Sequence, residues 1–178
     1  MSDGQPSLHL EGTVSPDGGA WLWGAANSVS AAYGGTELGA ALGLTGNGLG
    51  VDWTVGVEHY AYPGASFNDF TDATFSLAAK LDRLTVSAGV DYAPPQAHYA
   101  EDDTYTWVGA DYVAWGDVRL HAKFGQDDGA LAPTPYARDI AVGMAVPVRR
   151  VEVDLSYVDA DAVSSAVVFS IAYHSDRP

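Results

Sequence analysis

Apolar and polar side chains alternate strictly along residues 117–124, within the segment GDVRLHAKFGQDDG. This period of two is that of a β-strand with one apolar and one charged face. In a soluble barrel or sandwich the apolar face points to the interior. In an outer-membrane barrel it faces lipid, and the charged face lines a wet lumen. The two rows are Val118, Leu120, Ala122 and Phe124 against Asp117, Arg119, His121 and Lys123.

Nearly the whole chain divides into alternating segments bounded by turn-forming residues. The 20 glycines and 9 prolines suit many strands joined by turns and argue against a helical protein. Most segments approach the roughly nine to eleven residues with which a tilted strand crosses a bilayer. We therefore predict one all-β domain over residues 1–178. The predicted strands are 6–14, 20–30, 36–45, 49–62, 70–81, 84–93, 104–114, 117–125, 138–147, 150–158 and 164–174.

The predicted connections alternate between short and long. Short SPDGG, TGNG, LDR, WGD and PVR alternate with the longer SAAYGG, YPGASFND, PPQAHYAEDD and QDDGALAPTPYA, and DADAVS is intermediate. An up-and-down sheet of this kind has its tight turns at one end, which is typical of outer-membrane barrels with short periplasmic turns. Such barrels have even strand numbers. We therefore expect a twelfth strand, with an export signal, to precede residue 1, so that the chain is truncated at its N-terminus.

The two predicted faces differ in composition. The polar face is rich in Gly, Ala, Ser and Thr with scattered charges, whereas the outer face of a soluble sheet is usually rich in Lys and Glu. Small residues suit a crowded, concave interior, so the composition favours a transmembrane barrel. Aromatic residues near strand ends are candidates for interfacial girdles. They are Trp21, Trp23, Tyr60, Tyr62, Tyr92, Tyr105, Trp115 and Tyr136.

The charge and the absence of cysteine exclude several functions. With 23 acidic and 8 basic residues the formal net charge is -15, which disfavours nucleic acid as a partner. There is no cysteine, so thiol catalysis and zinc–thiolate sites are excluded. The sequence contains no pattern for a cofactor, and the histidines and acidic runs lack the spacing of a metal site.

The charged residues of the polar face are the candidate functional residues. Rows of opposite charge facing each other across a lumen would orient or select solutes, and the surplus of carboxylates favours cations. Charge pairing that merely fills a narrow interior would produce the same pattern, and both interpretations remain open. The predicted pore-lining residues are Asp52, Glu58, Asp111, Asp117, Arg119, His121, Lys123, Asp139, Glu152 and Asp154.

An enzyme would need a catalytic arrangement on the same face. His121 could act as a base, with Asp154 or Asp111 orienting it and Ser156 as nucleophile. No G-x-S-x-G or H-E-x-x-H spacing supports this role. We therefore expect no catalytic residue and no enzymatic activity.

An ordered series of segments resembles the TorF-type porin family of proteobacterial outer-membrane proteins of unknown function. The series is QPSLHLEGTVSPDGGAWLWGAANSV, TELGAALGLTG, YPG with FTDATFSLA, TYTWVGADY, VEVDLSYVDAD and VVFSIAYH, and it spans nearly the whole chain. The resemblance implies an outer-membrane β-barrel that forms a pore, without assigned catalytic residues. Family members begin with a signal peptide and a first strand ahead of the SDGQP-like segment, so the resemblance also leads us to expect that both precede residue 1. Outer-membrane barrels also commonly end on an aromatic residue, whereas this chain continues past Tyr173 into HSDRP.

Together these features predict an antiparallel up-and-down transmembrane β-barrel in the outer membrane of a Gram-negative bacterium, with eleven of twelve strands present. Its expected function is passive passage of small solutes, with outer-membrane lipid as the other partner. Two alternatives remain: a soluble barrel that binds a hydrophobic ligand, and a closed structural barrel in the outer membrane. The sequence leaves the oligomeric state open.

Overall fold

The computed structural model describes residues 9–16, 18–29, 31, 34–132, 134, 136–161 and 163–173. They form one antiparallel sheet of eleven strands in the order of the chain. The strands are β1 (His9–Val14), β2 (Ala20–Ser28), β3 (Thr36–Gly48), β4 (Val51–Ala61), β5 (Phe70–Leu81), β6 (Leu84–Ala93), β7 (Asp103–Val113), β8 (Arg119–Gly129), β9 (Ala137–Val148), β10 (Val151–Ala160) and β11 (Val163–Tyr173).

The all-β, antiparallel, up-and-down arrangement and the eleven strands confirm the prediction from alternation. Predicted strand residues 6–8, 30 and 174 lie outside the described part of the chain. Within the described residues, β1 and β11 are the two edges of the sheet. The described helical structure includes one short 3-10 turn, Ser66–Asn68, and no described helix has the length and apolar character needed to cross a membrane.

The connections place the tight turns at one end of the sheet. Residues 49–50, 82–83 and 149–150 each join two paired strands. The longer connections, which follow β2, β4, β6 and β8, leave the sheet at the opposite end, as predicted. The predicted connection DADAVS is shorter than expected, because β10 continues to Ala160 and β11 begins at Val163.

The predicted strand 117–125 is wrong at both ends. Backbone hydrogen bonds between Ala114 and Val118 and between Val118 and Trp115 close a turn. Asp117 therefore lies exposed in this turn and not in β8. At the other end, β8 continues through the QDD run to Gly129, which pairs with Asp103. The acidic run looked like a loop because carboxylates are common in loops, but its backbone groups are paired with β7.

The two faces of the sheet differ in exposure. Leu120, Phe124 and Val142 are between 38% and 45% exposed on one face. Among the described residues, no large side chain is fully buried, and the buried apolar residues are mostly alanines. The sheet therefore has no core of large apolar side chains on either face. The buried apolar residues are Ala41, Tyr62, Ala65, Ala93, Ala137 and Ala145.

Candidate functional site on the polar face

The strand register brings charged residues of successive strands onto one side of the sheet, which we call the polar face. Directly paired residues of antiparallel strands point to the same side. Glu58 pairs with Asp72, and Asp91 pairs with Tyr105. Asp111 pairs with His121 one strand further along. Alternation thus places a charged or polar row on each strand, and the register aligns the rows.

Five side chains of β7, β8 and β10 form what we call the charged cluster. The Arg119 Nε atom lies 3.3 Å from a carboxylate oxygen of Asp111 without hydrogen-bond alignment. The Arg119 Nη2 atom donates to Glu152 over 2.8 Å. The His121 Nε2 atom lies 2.6 Å from Asp154. The cluster contains Asp111, Arg119, His121, Glu152 and Asp154, all of them predicted site residues.

Small residues on β9 make this cluster possible. β8 and β10 lie on opposite sides of β9, so their polar side chains meet above it. Arg119 pairs with Ala145, and His121 pairs with Gly143. A Cβ atom on Gly143 would lie only 2.6 Å from the His121 ring. The small residues of the polar face therefore give room to charged side chains from the neighbouring strands.

The cluster borders a cleft of about 340 Å³. Lys123 lines the same cleft, and its ammonium lies 4.9 Å from the centre of the Tyr105 ring and 5.0 Å from the Trp107 ring. These distances are typical of cation–π contacts. Six of the predicted site residues line this cleft. The side chains and backbone that line it belong to Ser87, Trp107, Gly109, Asp111, Arg119, His121, Ala122, Lys123, Glu152, Asp154 and Ser170.

A second cavity, of about 210 Å³, is acidic and lies nearer the long connections. Asp103 is 6% exposed and accepts hydrogen bonds from the backbone of Leu131 and Ala132. One carboxylate oxygen of Asp72 and one of Asp127 are buried without a hydrogen-bond partner among the described residues. A buried carboxylate oxygen without a partner is costly, so water or a cation is favoured here. The cavity is lined by Tyr60, Phe70, Asp72, Asp91, Ala93, Asp103, Tyr105, Asp127 and Leu131.

Sequence reasoning missed the acidic cavity as a site. Alternation places Asp72 and Asp91 on the polar face, but neither is among the predicted pore-lining residues. Asp127 was assigned to a loop, and Asp103 was placed just outside its strand. The strand register supplies the missing signal. Asp72 pairs with Glu58, and Asp91 and Asp127 both pair with Tyr105, while Asp103 begins β7 on the same face.

The other predicted site residues lie apart from one another, three of them along the polar face and one in a turn. Asp139 accepts a hydrogen bond of 3.3 Å from the Tyr105 hydroxyl, and Glu58 accepts one of 2.7 Å from Tyr60. Asp52 accepts a hydrogen bond from Asn47 across the tight turn of residues 49–50, away from both cavities. Asp117 lies in the 114–118 turn and lines neither cavity.

Several aromatic residues predicted as girdles lie instead on the polar face. A Cβ on Gly56 would lie 2.6 Å from the Trp21 ring. The Trp23 indole donates to Glu11, and Tyr60 and Tyr105 donate to carboxylates. Tyr62 is buried and donates to Glu37. The physical reason is that a flat ring fits over glycines of the strands beside it, as the Trp21 ring of β2 does over Gly43 of β3 and Gly56 of β4. Tyr92, Trp115 and Tyr136 are exposed, at 40%, 64% and 58%.

The arrangement around His121 differs from that of a hydrolytic triad. The Ser156 hydroxyl donates to Asp154, the carboxylate that also contacts His121. In a catalytic triad the serine hydroxyl is hydrogen-bonded to one imidazole nitrogen, and the carboxylate is hydrogen-bonded to the other. His121 and Ser156 therefore both contact Asp154, and the three side chains form a structural network. Within the described ranges, no group of three His, Asp or Glu side chains has the arrangement of a metal site.

The fold and site define an all-β protein with an eleven-stranded up-and-down sheet, a charged network on one face and exposed apolar side chains on the other. The chain belongs to a bacterial family described as "Bacterial protein of unknown function (Gcw_chp)", whose model matches residues 8–176. No curated protein and no solved structure matches the chain.

Proposed function

We propose that the chain forms a β-barrel of the bacterial outer membrane and passes small solutes passively through a polar lumen, with a preference for cations. The observation that carries the proposal is the division between the two faces. Apolar side chains such as Leu120 and Phe124 are exposed, while charged side chains from β5, β6, β7, β8 and β10 converge on the polar face.

The exposed apolar face supports contact with lipid. Soluble monomers rarely expose contiguous apolar patches larger than a few hundred Å², whereas here every strand from β2 to β11 contributes exposed large apolar residues. These strands have 9 to 13 residues, enough to cross a bilayer at a tilt. A soluble module for a hydrophobic ligand would need the apolar face to surround the ligand.

The acidic cavity supports the preference for cations. Carboxylates of four strands line or border it, and the net charge of the chain is -15. A low-dielectric wall focuses the field of such charges into the lumen and raises the local cation concentration. The similarity to TorF-type porins supports the same function, as an expectation drawn from the sequence.

Single-channel recording tests the proposal. The full-length protein, including any residues that precede this chain in the natural product, is inserted into planar bilayers under a KCl gradient. We expect discrete conductance steps and a reversal potential on the cation side. Arg119→Ala should increase the cation preference, because it removes a positive charge from the wall.

Asp117→Asn is the matched control for charge, since Asp117 lies in an exposed turn outside both cavities. It should leave the reversal potential unchanged within error. Anion selectivity of the unsubstituted protein would contradict the cation preference. A protein that stays monomeric in buffer without detergent and binds an apolar dye stoichiometrically would contradict the membrane barrel.

A closed structural barrel is the second candidate, and one observation favours it. Arg119 and His121 reach across β9 to Glu152 and Asp154, so the polar face is partly filled by side chains. Small barrels are filled in this way, and only larger ones leave a channel. Correct folding in lipid without conductance would favour this candidate over the pore.

A further inference from the structure

The cleft beside the charged cluster differs in charge from the rest of the polar face. The acidic cavity has four aspartates in its wall. The cleft contains Arg119, Lys123 and His121 together with Asp111, Glu152 and Asp154. Its charge is close to balanced in a chain whose net charge is -15. A lumen that only concentrated cations would not need the basic side chains of Arg119, Lys123 and His121.

We infer that the cleft binds small zwitterionic solutes, with Lys123 receiving a carboxylate and Asp111 receiving an ammonium group. The inference deepens the proposed function and rests on it for the role in passage, because the cleft lies on the wall of the proposed lumen. Equilibrium binding itself requires only that the cleft be open to water. α-Amino acids are the simplest solutes of this class.

Lys123 is the cation of the cleft that is open to an incoming anion. Arg119 and His121 each contact carboxylates of the cluster. Within the described part of the chain, no carboxylate forms an ion pair with Lys123. Its ammonium rests on two aromatic rings and its side chain is exposed. An ammonium has three donors, so a solute carboxylate can bind without displacing the ring contacts.

Asp111 is the carboxylate of the cluster that is most open to the cleft. Its side chain is 41% exposed, compared with 14% for Glu152 and 22% for Asp154. The Arg119 contact at 3.3 Å uses one of its two oxygens. A carboxylate accepts about four hydrogen bonds, so the remaining acceptor sites can receive an ammonium group.

The space between these two groups suits a solute body. Lys123 pairs directly with Gly109, two residues before Asp111 on β7, and the Ser87 hydroxyl borders the space over this glycine. Trp107 supplies an apolar ring at the cleft wall. The volume of about 340 Å³ lies at the lower end for small-molecule sites. A free anion is opposed by the surrounding carboxylates, whereas a zwitterion brings its own compensating charge.

Saturation-transfer NMR titrations of the detergent-solubilised full-length protein test the inference. The probe is L-leucine, compared with 3-methylbutylammonium, which lacks the carboxylate, and with 4-methylpentanoate, which lacks the ammonium. We expect leucine to bind most tightly. Lys123→Met should weaken leucine binding about tenfold, since one charge-assisted hydrogen bond is lost. Asp111→Asn should weaken leucine but not 4-methylpentanoate.

Lys80→Met is the matched control, because Lys80 is exposed on β5 and does not line the cleft. Circular dichroism verifies that each variant folds. Equal leucine affinity in the Lys123→Met variant and the unsubstituted protein would overturn the inference, as would equal affinity for all three probes. Conductance without leucine binding would refute this site alone, and leucine binding without conductance would refute the pore alone.

Discussion

At the scale of single residues, the smallest side chains determine what the polar face can hold. Gly143 and Ala145 lie between the side chains that join β8 to β10, and Ala145 is fully buried. Gly89 lies under the Trp107 ring, where a Cβ would be 2.6 Å from it. Alternation places Gly89 and Gly143 on the polar face. It could not say which larger side chain each one accommodates, because that depends on the neighbouring strand.

Gly143→Ala tests this role. We expect it to destabilise the protein by about 1–3 kcal/mol, because the added methyl group overpacks the space between His121 and Ser156. Urea-dependent unfolding in lipid or detergent measures the change. Gly12→Ala on β1 is the control, since a Cβ there meets nothing within 4 Å. Equal effects of the two substitutions would contradict the role of Gly143.

At the scale of elements, tight turns set which residues of neighbouring strands face each other. The β3–β4 turn consists of Leu49 and Gly50, both with positive φ, at 56° and 77°. A two-residue hairpin turn with positive φ at both positions favours Asn or Asp before Gly. Leucine is therefore strained here and has no packing to compensate, since it is fully exposed. The turn forms because the long pairing of β3 with β4 requires it.

Leu49→Asn should stabilise the protein by roughly 0.5–1 kcal/mol, because asparagine tolerates the left-handed conformation better than leucine. Unfolding in urea is again the measurement. Leu49→Ala shortens the side chain without removing the strain, and we expect little change from it. A gain with alanine as large as with asparagine would show that exposure of the leucine side chain, and not backbone strain, is the cause.

At the scale of the whole molecule, the question is which medium contacts the exposed apolar face. In the proposed barrel that medium is lipid, and the polar face surrounds water. Val142 is near the middle of β9 and is 43% exposed on the apolar face. A charge at this position would be inside the hydrocarbon layer of a membrane protein, but in water if the protein were soluble.

Val142→Lys separates these two cases. For a membrane barrel we expect a loss of about 2–4 kcal/mol in folding into lipid vesicles. For a soluble protein a substitution at an exposed site changes stability by only about 0.5 kcal/mol or less. Thr74→Lys is the control on the polar face, where Thr74 pairs with Asp91. A neutral effect of Val142→Lys in vesicles would contradict the orientation proposed for the barrel.

Local periodicity and turn chemistry were enough to derive the eleven strands, their up-and-down order and the two faces, because these features depend on near neighbours in the chain. The position of Asp117 and the continuation of β8 through Asp127 depended on backbone pairing with β7. The charged cluster, the acidic cavity and the aromatic rings on the polar face arise from contacts between strands, some of them two strands apart. Such contacts follow from register and from the space left by small residues, which only the folded sheet defines.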